Sequence, residues 1–342
     1  MGNGRSVRWK SRRLLLLLPV SLLVGGCGGN QNSLAPKSHQ ASDIASLFWW
    51  MMGIAWFGLG LVVLLLVLAW KRRNRRGIGG DTNEPKPGEH TGWFVVVGGG
   101  IVLPIVLIAA LFFVSDIFVI RTTEAPAASA TKLTVLVIGH QFWWEVRYPG
   151  TKAVTANEIH IPVRTPVRVE VQTADVIHSF WVPELNRKID TIPGRTNAIE
   201  LYADAVGVYR GQCAEFCGLQ HAKMALEVIA QPPAAFQAWL SNEAAPATGS
   251  TGAAPAGLGV FLDKCSSCHT IRGTPATSDV GPDLTHLASR STLAAVTIPN
   301  TPEYLAGWIT DSQSVKPGNQ MPDIPLPRQQ LQELVAYLET LK

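Results

Sequence analysis

Two stretches, residues 48–70 and 93–115, each run for 23 residues without a single charged side chain. At a rise of about 1.5 Å per residue, either one as a helix is long enough to cross a hydrocarbon layer of roughly 30 Å. Buried helices of soluble proteins usually have shorter apolar runs than these. The pair therefore predicts a transmembrane hairpin over residues 46–120. Lys71-Arg72-Arg73-Asn74-Arg75-Arg76 lies between the two stretches, and short basic loops stay on the cytoplasmic side. That orientation puts the chain before the first span, and everything after Arg121, outside the cytoplasm. Trp49, Trp50, Trp70 and Trp93 fall at the ends of the spans, where aromatic belts sit.

The amino terminus reads as an export signal over residues 1–26. Five basic residues lie within Arg5–Arg13, and the apolar run 14–24 that follows is too short to span a bilayer. Val24-Gly25-Gly26-Cys27 resembles a bacterial lipobox, which would make Cys27 a lipidated amino terminus; a plain signal-peptidase site is the alternative. The formal net charge of +4 misleads, because residues 121–342 hold 17 Lys and Arg against 20 Asp and Glu. The positive charge serves targeting and topology, which excludes a large basic surface for nucleic acid.

From 130 to 232 the pattern changes to short β-branched runs. Strands are expected at 133–138, 158–161, 167–171, 197–201 and 225–229, punctuated by Pro162, Pro166, Pro193-Gly194 and Asp204. Such spacing suits a β-sandwich or barrel. Two segments in it carry chemistry: Val176-Ile177-His178-Ser179-Phe180-Trp181, and the run from Cys213 through Glu215, Cys217 and His221 to Met224. Thiolate, imidazole and thioether together suit copper better than magnesium or calcium. A mononuclear blue-copper site needs one thiolate; here a second is supplied, enough to bridge two metal ions. A Cys213–Cys217 disulfide, a structural zinc, and Met224 as plain core are the competing readings.

Cys-x3-Cys-x3-His-x2-Met with the upstream Val-Ile-His-Ser-Phe-Trp-Val-Pro resembles the CuA site of cytochrome c oxidase subunit 2. The resemblance implies two transmembrane helices followed by an external all-β cupredoxin domain, a Greek-key β-barrel. It implies that Cys213 and Cys217 bridge two copper ions and that His178 and His221 each bind one. Met224 would be a weak ligand and the Glu215 carbonyl the last, with the Glu215 side chain reaching a magnesium site shared with subunit 1. Asp190-Thr191-Ile192-Pro193-Gly194-Arg195 fits the same family pattern. Gly139-His140-Gln141-Phe142-Trp143-Trp144 corresponds to its aromatic segment, where a Trp usually receives electrons from soluble cytochrome c; this chain has Phe142 there. Glu89 is the nearest counterpart of a family carboxylate that helps proton entry. Trp143 and Trp144 read equally well as a packed aromatic strand.

Residues 243–257 are low in complexity, rich in Ala, Gly, Pro and Thr, and read as a flexible linker. Beyond them, Cys265-Ser266-Ser267-Cys268-His269 is the attachment signature for c-type haem, with His269 as one axial ligand. A thioredoxin-like CxxC is the alternative, but no βαβ pattern surrounds it. Met321 is the downstream methionine suited to the second axial position, with His286 as rival. Residues 257–342 resemble an all-α class I cytochrome c. In that family Gly257, Phe261, Leu334 and Tyr337 would form the crossing of first and last helices, and the Pro282 carbonyl would accept from the His269 ring.

The whole arrangement is similar to caa-type cytochrome c oxidases of bacteria, whose subunit 2 carries its own cytochrome c. This implies an electron-entry subunit in the cell membrane. Its partners would be subunit 1 and the other oxidase subunits, lipid, and a donating cytochrome c or quinol–cytochrome c reductase. It would feed oxygen reduction coupled to proton pumping. None of the eight histidines lies in a membrane span, so the oxygen-reducing site must belong to a partner. A tethered carrier for another terminal reductase is the alternative.

Overall fold

The computed structural model describes residues 29–75, 89–249 and 254–342. The export segment with Cys27, the loop 76–88, the linker residues 250–253 and the side chain of Glu89 lie outside the described residues.

Helix α1 (His39–Arg75) contains the first apolar stretch and overshoots it at both ends. Its start is fixed by Ser38, whose hydroxyl accepts the Ala41 N–H at 3.0 Å, an N-cap, and donates to the Leu185 carbonyl. The second span (α2, Gly92–Ser115) passes through a wider-wound segment, Val95–Val102, containing Gly98, Gly99 and Gly100. The most apolar window of each helix has none of its residues buried in the protein. Helices that bare this much hydrocarbon to the outside anchor the chain in a membrane.

Ten strands form the next unit: β1 (Thr134–His140), β2 (Trp143–Arg147), β3 (Val154–Ala156), β4 (Glu158–Pro162), β5 (Val167–Thr173), β6 (His178–Trp181), β7 (Ile189–Thr191), β8 (Asn197–Leu201), β9 (Gly207–Cys213) and β10 (Ala225–Gln231). They make two five-stranded sheets, ordered β3-β2-β1-β5-β8 and β4-β10-β9-β6-β7. Each sheet mixes antiparallel pairs with one parallel pair, β1/β5 and β4/β10, so the chain crosses between sheets as a cupredoxin-like sandwich requires. Alternate residues of β1 and β5 point inward, and Val135, Val137, Val169 and Val171 are fully buried against Ile159, Phe180, Leu226 and Val228 of the other sheet. All five expected strands are present. Of the other five, β2 contains the Trp143-Trp144 pair that reads as an aromatic strand, β6 lies in the His178 segment, β3 and β7 are only three residues long, and β9 is broken by polar residues and glycine.

The sandwich also holds the membrane helix. Lys37 N–H donates to the Glu184 carbonyl at 2.8 Å, Asp204 N–H to the Lys37 carbonyl at 2.9 Å, and Gln40 Nε2 to Glu200 Oε1 at 2.6 Å. Helix α3 (Pro233–Glu243) folds back on the sandwich through Phe236 and Trp239, whose indole stacks on His160 at 3.9 Å.

The last unit is helical: α4 (Pro255–Lys264), α5 (Pro302–Thr310), α6 (Ser312–Val315) and α7 (Arg328–Leu338), with a small hairpin of β11 (Thr292–Leu293) and β12 (Ile298–Pro299). Helix α4 crosses α7 at Gly257, where an added Cβ would lie 2.1 Å from the Glu333 carbonyl oxygen. Phe261 and Tyr337 pack beside the crossing, their rings 6.3 Å apart. Leu334, Val335 and Leu338 are buried as the helical spacing predicts, and Leu331 is half-buried.

The described part of 243–257 departs from a free tether. Glu243 and Ala247 are buried, the Ala245 carbonyl accepts from His286 Nε2 at 2.9 Å, and Gly249 sits against Thr340. Small residues that read as flexibility here allow close packing along the helical unit. Burial pushes the Glu243 carboxyl up to about 7, against the pull of Arg290 and Arg272. The native state therefore takes up a proton that the unfolded chain releases near pH 4.5. The resulting stabilisation is complete in acid and is lost as pH rises through about 7. Glu243→Gln is expected to flatten this dependence and to raise stability at pH 8 by about 1–3 kcal/mol, as melting curves at pH 5 and pH 8 would record. Equal pH slopes for both proteins would contradict it.

Candidate functional site

Strand β6 opens with His178 and β9 closes with Cys213, and the two strands pair, so both ligand types arrive at one edge of the sandwich. The loop from Cys213 to Met224 then turns back into β10 with Cys217 and His221 on it. The Sγ atoms of Cys213 and Cys217 lie 3.8 Å apart, too far for a disulfide bond of about 2.05 Å. His178 Nδ1 stands 3.9 Å from Cys213 Sγ, and His221 Nδ1 stands 3.8 Å from Cys217 Sγ. Met224 Sδ is 3.7 Å from Cys217 Sγ, and the Glu215 carbonyl oxygen is 3.1 Å from Cys213 Sγ. Donors 3.7–3.9 Å apart match the edge of a tetrahedron built on metal–sulfur bonds of about 2.3 Å. Each thiol has its own histidine, with the two sulfurs between them. The arrangement can hold a pair of soft metal ions bridged by both thiolates.

The electrostatics prepare this edge. The thiol proton of Cys217, donated to Cys213, holds the Cys213 thiol well below its usual pKa, with His178 and the Ser179 and Glu215 backbone adding to it; Cys217 is pushed up correspondingly. Burial opposes charge on His178, but Asp175 Oδ1, 2.7 Å from its Nε2, raises its pKa above the usual value. A carboxylate on the far ring nitrogen fixes which nitrogen faces the thiols. Asp175 is a site residue that the sequence reading passed over; a carboxylate three positions before the histidine was the available signal. Met224 is fully buried, and its Sδ still stands within 3.7 Å of Cys217 Sγ. Glu215 keeps its side chain exposed. Met224→Leu is expected to leave the fold intact and to shift the midpoint potential of the bound metal; an unchanged redox titration would remove Met224 from the ligand set.

A deep cleft in the helical unit brings together Cys265, Cys268, His269 and Met321, lined by Phe261, Leu334 and Leu338. His269 Nδ1 donates to the Pro282 carbonyl at 2.8 Å, which leaves Nε2 for the cleft. Gly281 allows the close approach, since a Cβ there would stand 2.7 Å from His269 Cε1. Burial keeps His269 neutral by lowering its pKa, the form an axial ligand needs. The Met321 loop is held by Ser312 and Gln313, which donate to its carbonyl at 2.7 and 2.8 Å. His286 instead spends Nε2 on Ala245 and lies outside the lining of the cleft, so Met321 is the better-placed donor. An apolar cleft with paired thiols beside a neutral imidazole fits a covalently held porphyrin.

The cleft does not belong to the helical unit alone. Gln141, Phe142, Trp143 and Asn157 of the sandwich complete its wall. Phe142 is buried, and its ring edge lies where a Cβ on Gly218, one residue past Cys217, would be only 3.1 Å away. Gln141 Nε2 donates to the Cys217 carbonyl at 2.6 Å. One residue thus touches the cleft and bonds the thiol loop. Trp144 is fully buried in β2, as a packed aromatic strand requires.

Comparison with known proteins accords with both halves. Residues 151–231 match the family described as cytochrome C oxidase subunit II, periplasmic domain, and residues 254–342 match cytochrome c. The cytochrome c oxidase subunit 2 of Alkalihalophilus pseudofirmus is 33% identical over 342 residues, covering 98% of each chain. The chain belongs to the cytochrome c oxidase subunit 2 family. The subunit 2 of Bacillus subtilis strain 168 is 28% identical over 91% of each chain, and the quinol oxidase subunit 2 of the same organism is 31% identical over 67% of this chain and 71% of its own. Membership brings an electron-transfer role with copper in the β unit and haem in the helical one, within a haem–copper oxidase.

Proposed function

We propose that this subunit 2 is the electron-entry subunit of a cytochrome c oxidase of the caa type. Cys213 and Cys217 would hold a binuclear copper centre of the CuA kind, with His178, His221, Met224 and the Glu215 carbonyl completing it. Cys265 and Cys268 would bind haem c covalently, with His269 and Met321 on the iron. Bound there, these groups supply reversible one-electron transfer between an external cytochrome c donor and subunit 1, where oxygen is reduced and protons are pumped. The Glu215 side chain is available for a magnesium site at that interface.

The observation that carries this reading is the meeting of the two sites at Gln141, which lines the haem cleft and bonds the Cys217 carbonyl. Phe142 lies in the same wall. In this chain the aromatic segment faces a haem module of its own, which gives a reason for Phe142 where a chain served by soluble cytochrome c carries Trp. The thiol pair and the appended cleft favour cytochrome c over quinol as the source of electrons. The basic run Lys71–Arg76 at the end of α1 supports an orientation with both water-facing units outside the cytoplasm, on the far side of the cell membrane. Cys27 is the proposed lipid anchor.

Metal analysis and an optical spectrum of the purified full-length chain test the reading. A pair of copper ions and a single haem per chain, with a near-infrared band from mixed-valence copper, are expected. A single labile copper without that band would point to copper delivery and overturn it. Purification with a partner lacking haem a, and without oxygen uptake, would point to another terminal reductase.

A further inference from the structure

The haem unit and the sandwich are joined by more than the linker. Lys316, at the end of α6, is only 3% exposed, and its Nζ donates to three backbone carbonyls: Phe142 at 3.1 Å, Lys223 at 3.0 Å and Ala294 at 3.2 Å. Two acceptors belong to the sandwich and one to the helical unit. The contact is reciprocal, because Lys223 Nζ donates to the Val315 carbonyl at 2.6 Å and Gln220 Nε2 to the Pro317 carbonyl at 2.6 Å. Three consecutive residues, 315–317, are thus tied to the loop that carries His221 and Met224. No carboxylate takes part in these bonds. Burial beside the Lys223 ammonium lowers the pKa of Lys316 to about 7. Three carbonyl acceptors match the three N–H bonds of its ammonium form.

A buried lysine without an anionic partner is costly, and surface lysines are almost always solvated. Its position has a specific result. The Phe142 carbonyl that it binds belongs to the wall of the haem cleft, and the Lys223 carbonyl immediately precedes Met224. We propose that Lys316 is a positioning residue, a clasp that fixes the haem cleft against Phe142 and the copper-ligand loop, so that transfer between the two centres needs no movement of one unit relative to the other. The clasp rests on the functional reading above only for its consequence. The docking itself is a property of the chain.

The test uses the full-length chain at pH 6 with Lys316→Met, which keeps the length and apolar stem but has no donor. In the wild type, amide exchange read by mass spectrometry should be slow in the peptides covering 141–144 and 313–321, and electron equilibration after flash reduction of the haem should not depend on solvent viscosity. In the variant, exchange in both peptides should rise at least tenfold. Equilibration should slow at least tenfold and become viscosity-dependent, while the haem and copper potentials stay unchanged. Unaltered exchange and a viscosity-independent rate in the variant would overturn the clasp. Should the methionine chain fail to load its cofactors, Lys316→Gln, which retains two N–H donors, carries the same comparison with a smaller shift. Exchange reads the clasp even in a chain free of metal, so absence of a near-infrared band would sink the functional reading without deciding this one.

Discussion

Cys217→Ser is expected to abolish the near-infrared absorption of the paired copper and to leave the chain with a single copper ion or none. A serine hydroxyl does not ionise at neutral pH and is a hard donor, so it cannot replace a bridging thiolate for a soft metal. The loss should be out of proportion to the change in volume, because Cys217 lies beside three other donors: Cys213 Sγ, His221 Nδ1 and Met224 Sδ, at 3.7–3.8 Å. In the proposed bridged centre, removing it would untie both halves at once. Haem content and the melting of the helical unit should be unaffected, since Cys217 makes no part of its core. Retention of both copper ions in the serine variant would show that the thiols do not bridge them.

Gly257→Ala is expected to cost about 3 kcal/mol or more of stability, which places it at or above the upper end of ordinary overpacking. Alanine favours a helix over glycine by roughly 1 kcal/mol, but that gain applies to an unobstructed position. Here the new methyl would be 2.1 Å from the Glu333 carbonyl and 2.5 Å from Tyr337 Cβ, one of them backbone that cannot swing away. Helices α4 and α7 must part, and the Phe261–Tyr337 contact is lost with them. For a unit of this size the loss corresponds to a fall in melting temperature of roughly 10–20 °C. A melt followed at the haem absorbance that stayed within a degree or two of the wild type would contradict the crossing geometry.

Much of the architecture is readable from residue types alone. Apolar stretches without charge announce the hairpin, because length and hydrocarbon thickness leave few alternatives. Cys-x3-Cys-x3-His-x2-Met and Cys-x2-Cys-His expose the donor sets, since sequence-local ligands need no knowledge of the fold. His178, 35 residues before Cys213, stands in a short motif of its own, and its role beside Cys213 is what the resemblance implies; the β6/β9 pairing explains why the two meet. Longer-range features stayed hidden. Asp175 reads as a loop carboxylate, and Lys316 as one more solvated charge. What gives Lys316 its place is a set of backbone carbonyls from three separate segments, and carbonyls have no letter in a sequence. The packing of Ala247 and Gly249 in the described part of the linker was hidden for a related reason: alanine and glycine signal freedom when solvated and close packing when covered.

The attachment of Lys37, Ser38 and Gln40 to the sandwich makes the first turns of α1 continuous with the water-facing half of the molecule. From the cap at Ser38 to the tryptophans at 49 and 50 there are roughly ten residues of helix, a rigid strut of about 15 Å. Because that strut cannot bend like a loop, the height of the metal-bearing edge above the lipid headgroups is set by a count of residues. An oxidase assembled around this subunit therefore receives its electrons at a constant elevation, and donors must come to that level rather than be met by a swinging arm.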